Sequence, residues 1–381
     1  MARSARRVLT VLLPVFLCLL PGRQAGAGSV DITVMTQNLY VGADTDPILA
    51  ASTPTALQAA IQAAAQSVVD NNFPARAAAI ASEAASAGGP LLIGLQEAEI
   101  VGAPGLSLNY ADALISALKA EGLNYTYMIP GVGDTVHTGF SLNSAAAGIP
   151  GFSITDQEVV LVRTDVPGFM VTSVSAPTFG NNVTLQSPLV PGGIPLQRGY
   201  VLVDATLDGV PFQFVSTHLD ETHSSAEPAQ VGEILAALDT TGEPQLVVGD
   251  FNAGPSDLCG GLSCGPADML ATGFTDTAAA VGAALGPTCC QAPDLSNTVS
   301  LLSERYDYIF ESGFSSVDSA ALVGDQPFET VQPLWPSDHA GVVATLTLVP
   351  EPAAASLLVS AIFPFAAVRL RGRTQRRSSS S

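Results

Sequence analysis

Short apolar runs recur along one uninterrupted segment, at 32–36, 91–95, 159–162, 200–205, 212–217, 246–248, 308–310 and 341–348. Their Val, Ile, Leu and Phe content and their turn-forming boundaries suit buried strands. Helical stretches intervene at about 54–69, 75–86, 109–120 and 229–238. Strands and helices mixed along one segment predict an α/β layered fold, and argue against a helical bundle or a pure β-sandwich. The stretches 131–155 and 177–195 are rich in Gly, Ser, Asn and Pro and read as long surface loops. No internal repeat or linker divides 30–348, so it is expected to form one domain.

Charge is distributed unevenly along the chain. Of 14 Lys and Arg residues, Arg3, Arg6, Arg7 and Arg23 precede residue 28, and Arg369, Arg371, Arg373, Arg376 and Arg377 follow residue 368. Between 28 and 348 only Arg76, Lys119, Arg163, Arg198 and Arg305 face 33 Asp and Glu. A body this acidic has no basic stripe to track a nucleic-acid backbone. Any anion handled here calls for a metal ion to neutralise it.

Both ends read as addresses. Arg3, Arg6 and Arg7 precede an apolar run at 8–20, followed by Ala25-Gly26-Ala27, the three parts of a secretory signal peptide over residues 1–27. A retained anchor is the alternative, although Pro14 interrupts a run already short for a bilayer. At the other end, Val349-Pro350-Glu351-Pro352 leads into an apolar stretch at 353–368 and then the arginine cluster, a stop-transfer arrangement. This end, 349–377, resembles the PEP-CTERM sorting signal of exported bacterial proteins; a simple membrane anchor is the plainer reading. The resemblance implies export through the Sec translocon, a short transmembrane segment holding the chain at the membrane, and removal of the tail by an exosortase-type peptidase. The destination is then the cell envelope or the extracellular space.

Cys18 falls in the signal, leaving Cys259, Cys264, Cys289 and Cys290. In an oxidising compartment four cysteines suggest two disulfides, whose connectivity the spacing does not settle. Zinc is the rival reading, but no histidine lies near them in sequence. The expected arrangement staples the Gly-rich 257–265 insert to the segment around residue 289.

Polar residues recur where the apolar runs end. Asn38 follows the first run, Gln96 and Glu97 the second, His218 and Asp220 the fifth, and Asp250 and Asn252 the sixth. Asp307 stands just before the seventh run, and Ser337, Asp338 and His339 precede the last. Each taken singly has an ordinary role as a turn former or cap. The ordered blocks Thr36-Gln37-Asn38-Leu39, Leu95-Gln96-Glu97, Ser216-Thr217-His218-Leu219, Gly249-Asp250-Phe251-Asn252, Arg305-Tyr306-Asp307-Tyr308 and Ser337-Asp338-His339 resemble the endonuclease/exonuclease/phosphatase superfamily.

That resemblance, over the domain at 30–348, implies a four-layered α/β sandwich in which two mixed sheets pack face to face with helices outside. It implies a hydrolase of phosphate esters and assigns roles. Asn38, Glu97 and Asp338 would hold a divalent cation, Mg²⁺ with Mn²⁺ or Ca²⁺ as substitutes, through the oxygen ligands that hard ions prefer. His339 would be the general base, Asp307 the carboxylate that orients it, and His218 a hydrogen-bond donor to phosphate or to the leaving group. Asp250 and Asn252 would position the nucleophile and stabilise the transition state. Arg198 is either a phosphate ligand or a structural ion-pair partner, and Arg305 is expected to be structural. His137 and His223 match no family position and are expected at the surface. The acidic body favours a small phosphoester or phospholipid head group. A DNA or RNA nuclease and a catalytically inactive envelope binding module are the alternatives.

Overall fold

The computed structural model describes residues 28–349 except 104, 144–151, 239–241 and 330; the signal at 1–27 and the C-terminal sorting segment beyond Val349 lie outside the described residues. Two mixed sheets form the body. The first runs, in spatial order, Ser316–Val323, Gly341–Leu348, Val30–Asn38, Leu92–Gln96, Ser153–Arg163, Ile100–Ala103 and Leu106–Asn109; Tyr125–Thr126 and Val136–Asn143 also pair with the long Ser153–Arg163 strand. The second runs Phe169–Ser175, Tyr200–Leu207, Val210–His218, Gln245–Asp250, Asp307–Ser312 and Thr275–Asp276.

Each sheet contains one parallel pair, Val30–Asn38 with Leu92–Gln96 and Val210–His218 with Gln245–Asp250. A parallel pair needs a crossover, and helices supply it. Pro54–Asp70 and Phe73–Ser86 connect the first pair, and Ala226–Ala237 connects the second. Alternating side chains then sort into layers. Ile32, Val34, Leu92 and Val160 of the first sheet meet Val203, Phe212, Phe214 and Val248 of the second. The other face of the first sheet, with Met35, Ile93 and Leu161, packs on Ile61, Phe73, Ile80 and Leu114 from helices. The other face of the second, with Leu202, Val215 and Val247, packs on Val231, Ile234 and Met269. The order helix, sheet, sheet, helix is the four-layered arrangement expected. The sheets approach closely at Gly94, where an added Cβ would lie 2.6 Å from Ser216 Oγ and 2.8 Å from Val248 Cγ2.

The apolar runs lie in strands except for Leu91, which precedes Leu92–Gln96, and most strands are longer than expected by one to several residues at their ends. Asn109, expected as the first residue of a helix, is its cap instead, accepting a hydrogen bond from the Asp112 amide at 3.1 Å. Two expected loops are corrected. Val136–Asn143 and the start of Ser153–Arg163 pair within 131–155, and 177–195 contains most of a hairpin of Val183–Ser187 with Val190–Leu196. Backbone pairing with a neighbouring strand overrides weak local preference in both stretches.

The cysteine pairing is also corrected. Cys259 bonds Cys264 across a two-residue-per-strand hairpin with 5.2 Å between Cα atoms, and Cys289 bonds its neighbour Cys290. Each disulfide closes locally, so no staple joins the 257–265 insert to residue 289.

Candidate active site

Strand register brings the polar blocks to one end of both sheets. Asn38 lies opposite Gln96 at the ends of the first parallel pair, and Thr36 lies opposite Val342, just beyond Asp338 and His339. In the second sheet Asp250 lies between His218 on one side and Asp307 on the other. Both sheets therefore open at the same edge.

Local backbone geometry aims these side chains inward. Gly249 has φ +145°, and a Cβ there would lie 2.0 Å from Thr217 O, so only glycine brings this strand to Asp250 beside its neighbour. Glu97 and Asn252 take left-handed conformations one and two residues after their strands, with φ 50° and 51°. Non-glycine residues adopt this conformation at a cost and concentrate at functional sites when they do.

Asp250 is the hub. Its Oδ2 accepts a hydrogen bond from Asn38 Nδ2 at 3.0 Å and lies 3.6 Å from His218 Nε2 and 3.7 Å from His339 Nε2. Its Oδ1 accepts from the Asn252 amide at 2.8 Å. Asn38 Nδ2 also donates to Glu97 Oε1 at 3.0 Å, while its oxygen accepts from the Tyr40 amide at 2.9 Å. Glu97 Oε2 is held by the Val41 amide at 2.8 Å. Asn38 thus ties the two sheets together through Glu97 and Asp250.

The two histidines have opposite electrostatics. His339 Nδ1 lies 2.8 Å from Asp307 Oδ2. Burial alone would lower its pKa, but Asp307, Asp250 and Asp338 outweigh that and hold it well above the usual imidazole value. His218 Nδ1 accepts from Arg198 Nη1 at 2.8 Å, which leaves the proton on Nε2, facing Asp250. Burial, with the Arg198 charge, keeps His218 far below its usual pKa and neutral. Burial also raises Asp250 to about 7 and Asp338 to about 6.

The donor set suits a hard cation. Glu97 and Asp338 are half-buried carboxylates, and the charge of Glu97 raises the Asp338 pKa. Asp307 Oδ1 is buried without a hydrogen-bond partner among the described residues. A cation among oxygen ligands would relieve these like charges. Cys289, Cys290 and His339 also cluster, with Cys290 Sγ 3.7 Å from His339 Nε2, but the disulfide removes both thiolates as ligands.

Arg198 is buried, with Nη1 donating to Asp156 Oδ2 at 3.1 Å and Nη2 to Glu221 Oε2 at 3.0 Å. Its fork is engaged by protein groups. Arg305 pairs with both oxygens of Asp276, at 2.6 and 2.8 Å, the structural role expected of it. His223 is exposed, as expected. His137 is not. It is buried against Glu158 and lies 3.0 Å from Thr178 Oγ1 in the pairing that covers Gly199, because Val136–Asn143 is a strand rather than a loop.

One residue has no counterpart in the sequence reading. Arg76, on the inner face of Phe73–Ser86, is fully buried and donates to the carbonyls of Asn71, Leu39, Pro336 and Tyr40, at 3.2, 2.7, 3.1 and 3.1 Å. Leu39 and Tyr40 follow Asn38, and Pro336 precedes Ser337 and Asp338, so one guanidinium fixes both site loops. Its sequence signal is a cation on an Ala-rich helix in a body that has only five.

No family model matches the sequence, and no curated protein matches it. Solved structures do share the fold. An endonuclease/exonuclease/phosphatase from Bacteroides thetaiotaomicron superposes with TM-score 0.54 at 17% identity, covering 84% of this chain and 99% of that one. A counterpart from Bacteroides vulgatus gives TM-score 0.50 at 15% identity over 83% of this chain and 98% of its own. A family protein from Leptotrichia buccalis also gives 0.50 at 15%, covering 83% and 99%.

Proposed function

We propose that this chain is an exported, divalent-metal-dependent phosphoesterase that hydrolyses phosphate mono- or diesters with an activated water. The observation that carries the reading is Asp250 Oδ2 within 3.0–3.7 Å of Asn38, His218 and His339, beside Glu97 and Asp338. With Asp307 behind His339, six separate segments converge on one point, and they supply the donors and acceptors that ester cleavage needs.

Glu97 and Asp338, with Asn38 beside them, would hold the cation, which when bound supplies the positive charge that phosphate oxygens need and the chain lacks. His339, oriented through Nδ1 by Asp307, presents Nε2 as proton acceptor for water; its neutral form gains population as pH rises. His218, neutral and protonated on Nε2, donates to phosphate or to the leaving oxygen. Asp250 orients both imidazoles, and Asn252 fixes Asp250. The signal-like first 27 residues and the stop-transfer-like tail support export, with the Sec translocon and an exosortase-type peptidase as partners.

The test is turnover of bis-p-nitrophenyl phosphate, sphingomyelin and plasmid DNA by the mature protein with Mg²⁺, before and after EDTA. We expect EDTA-sensitive ester hydrolysis, and a loss of 10³-fold or more in kcat for His339→Ala and Asp250→Asn with melting retained, roughly the scale of removing a general base. Undiminished turnover in either variant removes the site assignment.

A further inference from the structure

A cavity of about 400 Å³ opens directly from the candidate active site. Glu97, Asp338 and Arg198 line one end. The rest of the wall is mostly apolar, built by Ile48, Phe140, Leu142, Phe152, Ile154 and Leu196 with neighbours of the same character. Its size falls within the range of about 300–1,000 Å³ typical of pockets that enclose a small organic ligand.

Three elements that the catalytic end does not need build this wall. Ile48 comes from the short helix Asp46–Leu49 after the first strand, Phe140 and Leu142 from Val136–Asn143, and Leu196 from the Val183–Ser187/Val190–Leu196 hairpin. The hairpin belongs to neither main sheet. Its structural product here is the apolar face that Leu185, Ile194 and Leu196 turn to the cavity.

The polar groups along the cavity select against a second phosphate. Asp44, Asp46, Glu99, Asp156 and Glu221 line it, and the one cation, Arg198, is engaged by Asp156 and Glu221. Glu99 Oε2 and Asp156 Oδ1 are buried without hydrogen-bond partners among the described residues. Arg198 Nε is also buried without a partner among the described residues, but five carboxyl groups against one guanidinium leave this lining short of the donors that a polyphosphate chain would need. The cavity has room for one ester arm, and its apolar stretch suits an arm that is uncharged and apolar.

We infer that the cavity is the substrate-arm site of this enzyme, and that the substrate is an amphiphilic phosphoester: one phosphate at the Glu97–Asp338 end and an alkyl or aryl arm against Phe140, Leu142, Ile154 and Leu196. The inference rests on the phosphoesterase reading above and names its substrate class. The arm reaches the site either on a free soluble ester or on a lipid drawn from a membrane surface, since both present the same chemistry.

The experiment compares kcat/KM for the methyl, butyl and octyl esters of p-nitrophenyl phosphate in Mg²⁺, with calorimetric titration of methyl and octyl phosphate as a readout independent of turnover. Burying a methylene lowers KM by up to about fourfold, so the butyl ester should exceed the methyl ester by at least tenfold, mainly through KM. Octyl phosphate should bind correspondingly tighter than methyl phosphate. Leu142→Asn and Ile194→Asn should flatten this chain-length dependence, lowering kcat/KM for the octyl ester far more than for the methyl ester. Leu142→Ala, which adds no polar group to the wall, should flatten it partly.

Dihexanoylphosphatidylcholine as dissolved monomer and dioleoylphosphatidylcholine in vesicles separate the two sources. Cleavage of either supports the inference and says which source serves. Methyl-ester turnover with no chain-length dependence in rate or binding overturns the inference and leaves the phosphoesterase reading standing. No turnover of any ester refutes the underlying reading instead. Plasmid DNA cleaved faster than the octyl ester also overturns the inference.

Discussion

Replacing Arg76 with methionine should destabilise the domain by about 3–5 kcal/mol, the scale of disrupting a buried charged network. The guanidinium makes four hydrogen bonds to carbonyls at 2.7–3.2 Å, and hydrogen bonds from a charged donor contribute roughly 1.5–3 kcal/mol each. The gross loss is therefore about 6–12 kcal/mol. Against it stands the desolvation of a fully buried cation, which the variant no longer bears and which amounts to several kcal/mol. Methionine keeps the stem's packing on Phe73, over whose ring the Arg76 Cζ lies at 4.9 Å. It leaves the carbonyls of Leu39, Tyr40, Asn71 and Pro336 without this donor. A net loss of that size lowers the melting temperature by about 10 °C in a domain this large.

Urea unfolding of the mature domain followed by circular dichroism measures the loss. Calorimetric Mg²⁺ titration of the still-folded variant should show weaker binding, because Leu39, Tyr40 and Pro336 flank Asn38 and Asp338. Arg76→Lys should recover less than half of the stability, since a point charge cannot reach four carbonyls in the geometry of a planar fork. A loss below about 1 kcal/mol for Arg76→Met would refute the reasoning, because it would mean that burial and hydrogen bonding cancel at this position.

Two further outcomes test the rest of the body. Glu227 is buried, accepts the Gly265 amide at 2.7 Å and is pushed up to about 8 by burial. The unfolded chain releases this proton near pH 4.5 while the folded chain holds it to about 8, so the wild type loses stability as pH rises between those values. Glu227→Gln should match the wild type below pH 4.5 and exceed it by about 2–4 kcal/mol above pH 8; a difference independent of pH in urea midpoints would contradict this. Proteolysis without reduction followed by mass spectrometry should recover one Cys259–Cys264 loop and one vicinal Cys289–Cys290 pair. A peptide joining the two segments, or four free thiols, would contradict the pairing.

The strand ends were legible because alternation and turn residues are local properties, and the polar residues at those ends are adjacent to them in sequence. Asn38, Glu97, His218, Asp250, Asp307 and Asp338-His339 could therefore be picked out before any register was known. His137 could not be placed, because its burial depends on pairing between Val136–Asn143 and Ser153–Arg163 at the sheet edge. Neither strand is marked by strong local preference at that point. The disulfides were equally illegible, since four cysteines permit three pairings and only the hairpin at Leu258–Ser263 brings Cys259 to Cys264.

By itself, the sequence determined the layer class, the acidic body between two basic ends, and the residue types available for phosphate chemistry. Each follows from composition or from periodicity within a few residues. Only the tertiary structure decided that Asp250 is the hub, that Arg198 is engaged by Asp156 and Glu221, that Arg76 clasps the loop at Leu39 and Tyr40 to Pro336, which lies 260 residues beyond Arg76, and that an apolar cavity opens beside the carboxylates. Those features depend on how distant segments align when two sheets close on each other. That alignment is set by the packing of Ile32, Val34, Phe212, Phe214 and Val248 across the interface, which no local stretch of the chain encodes.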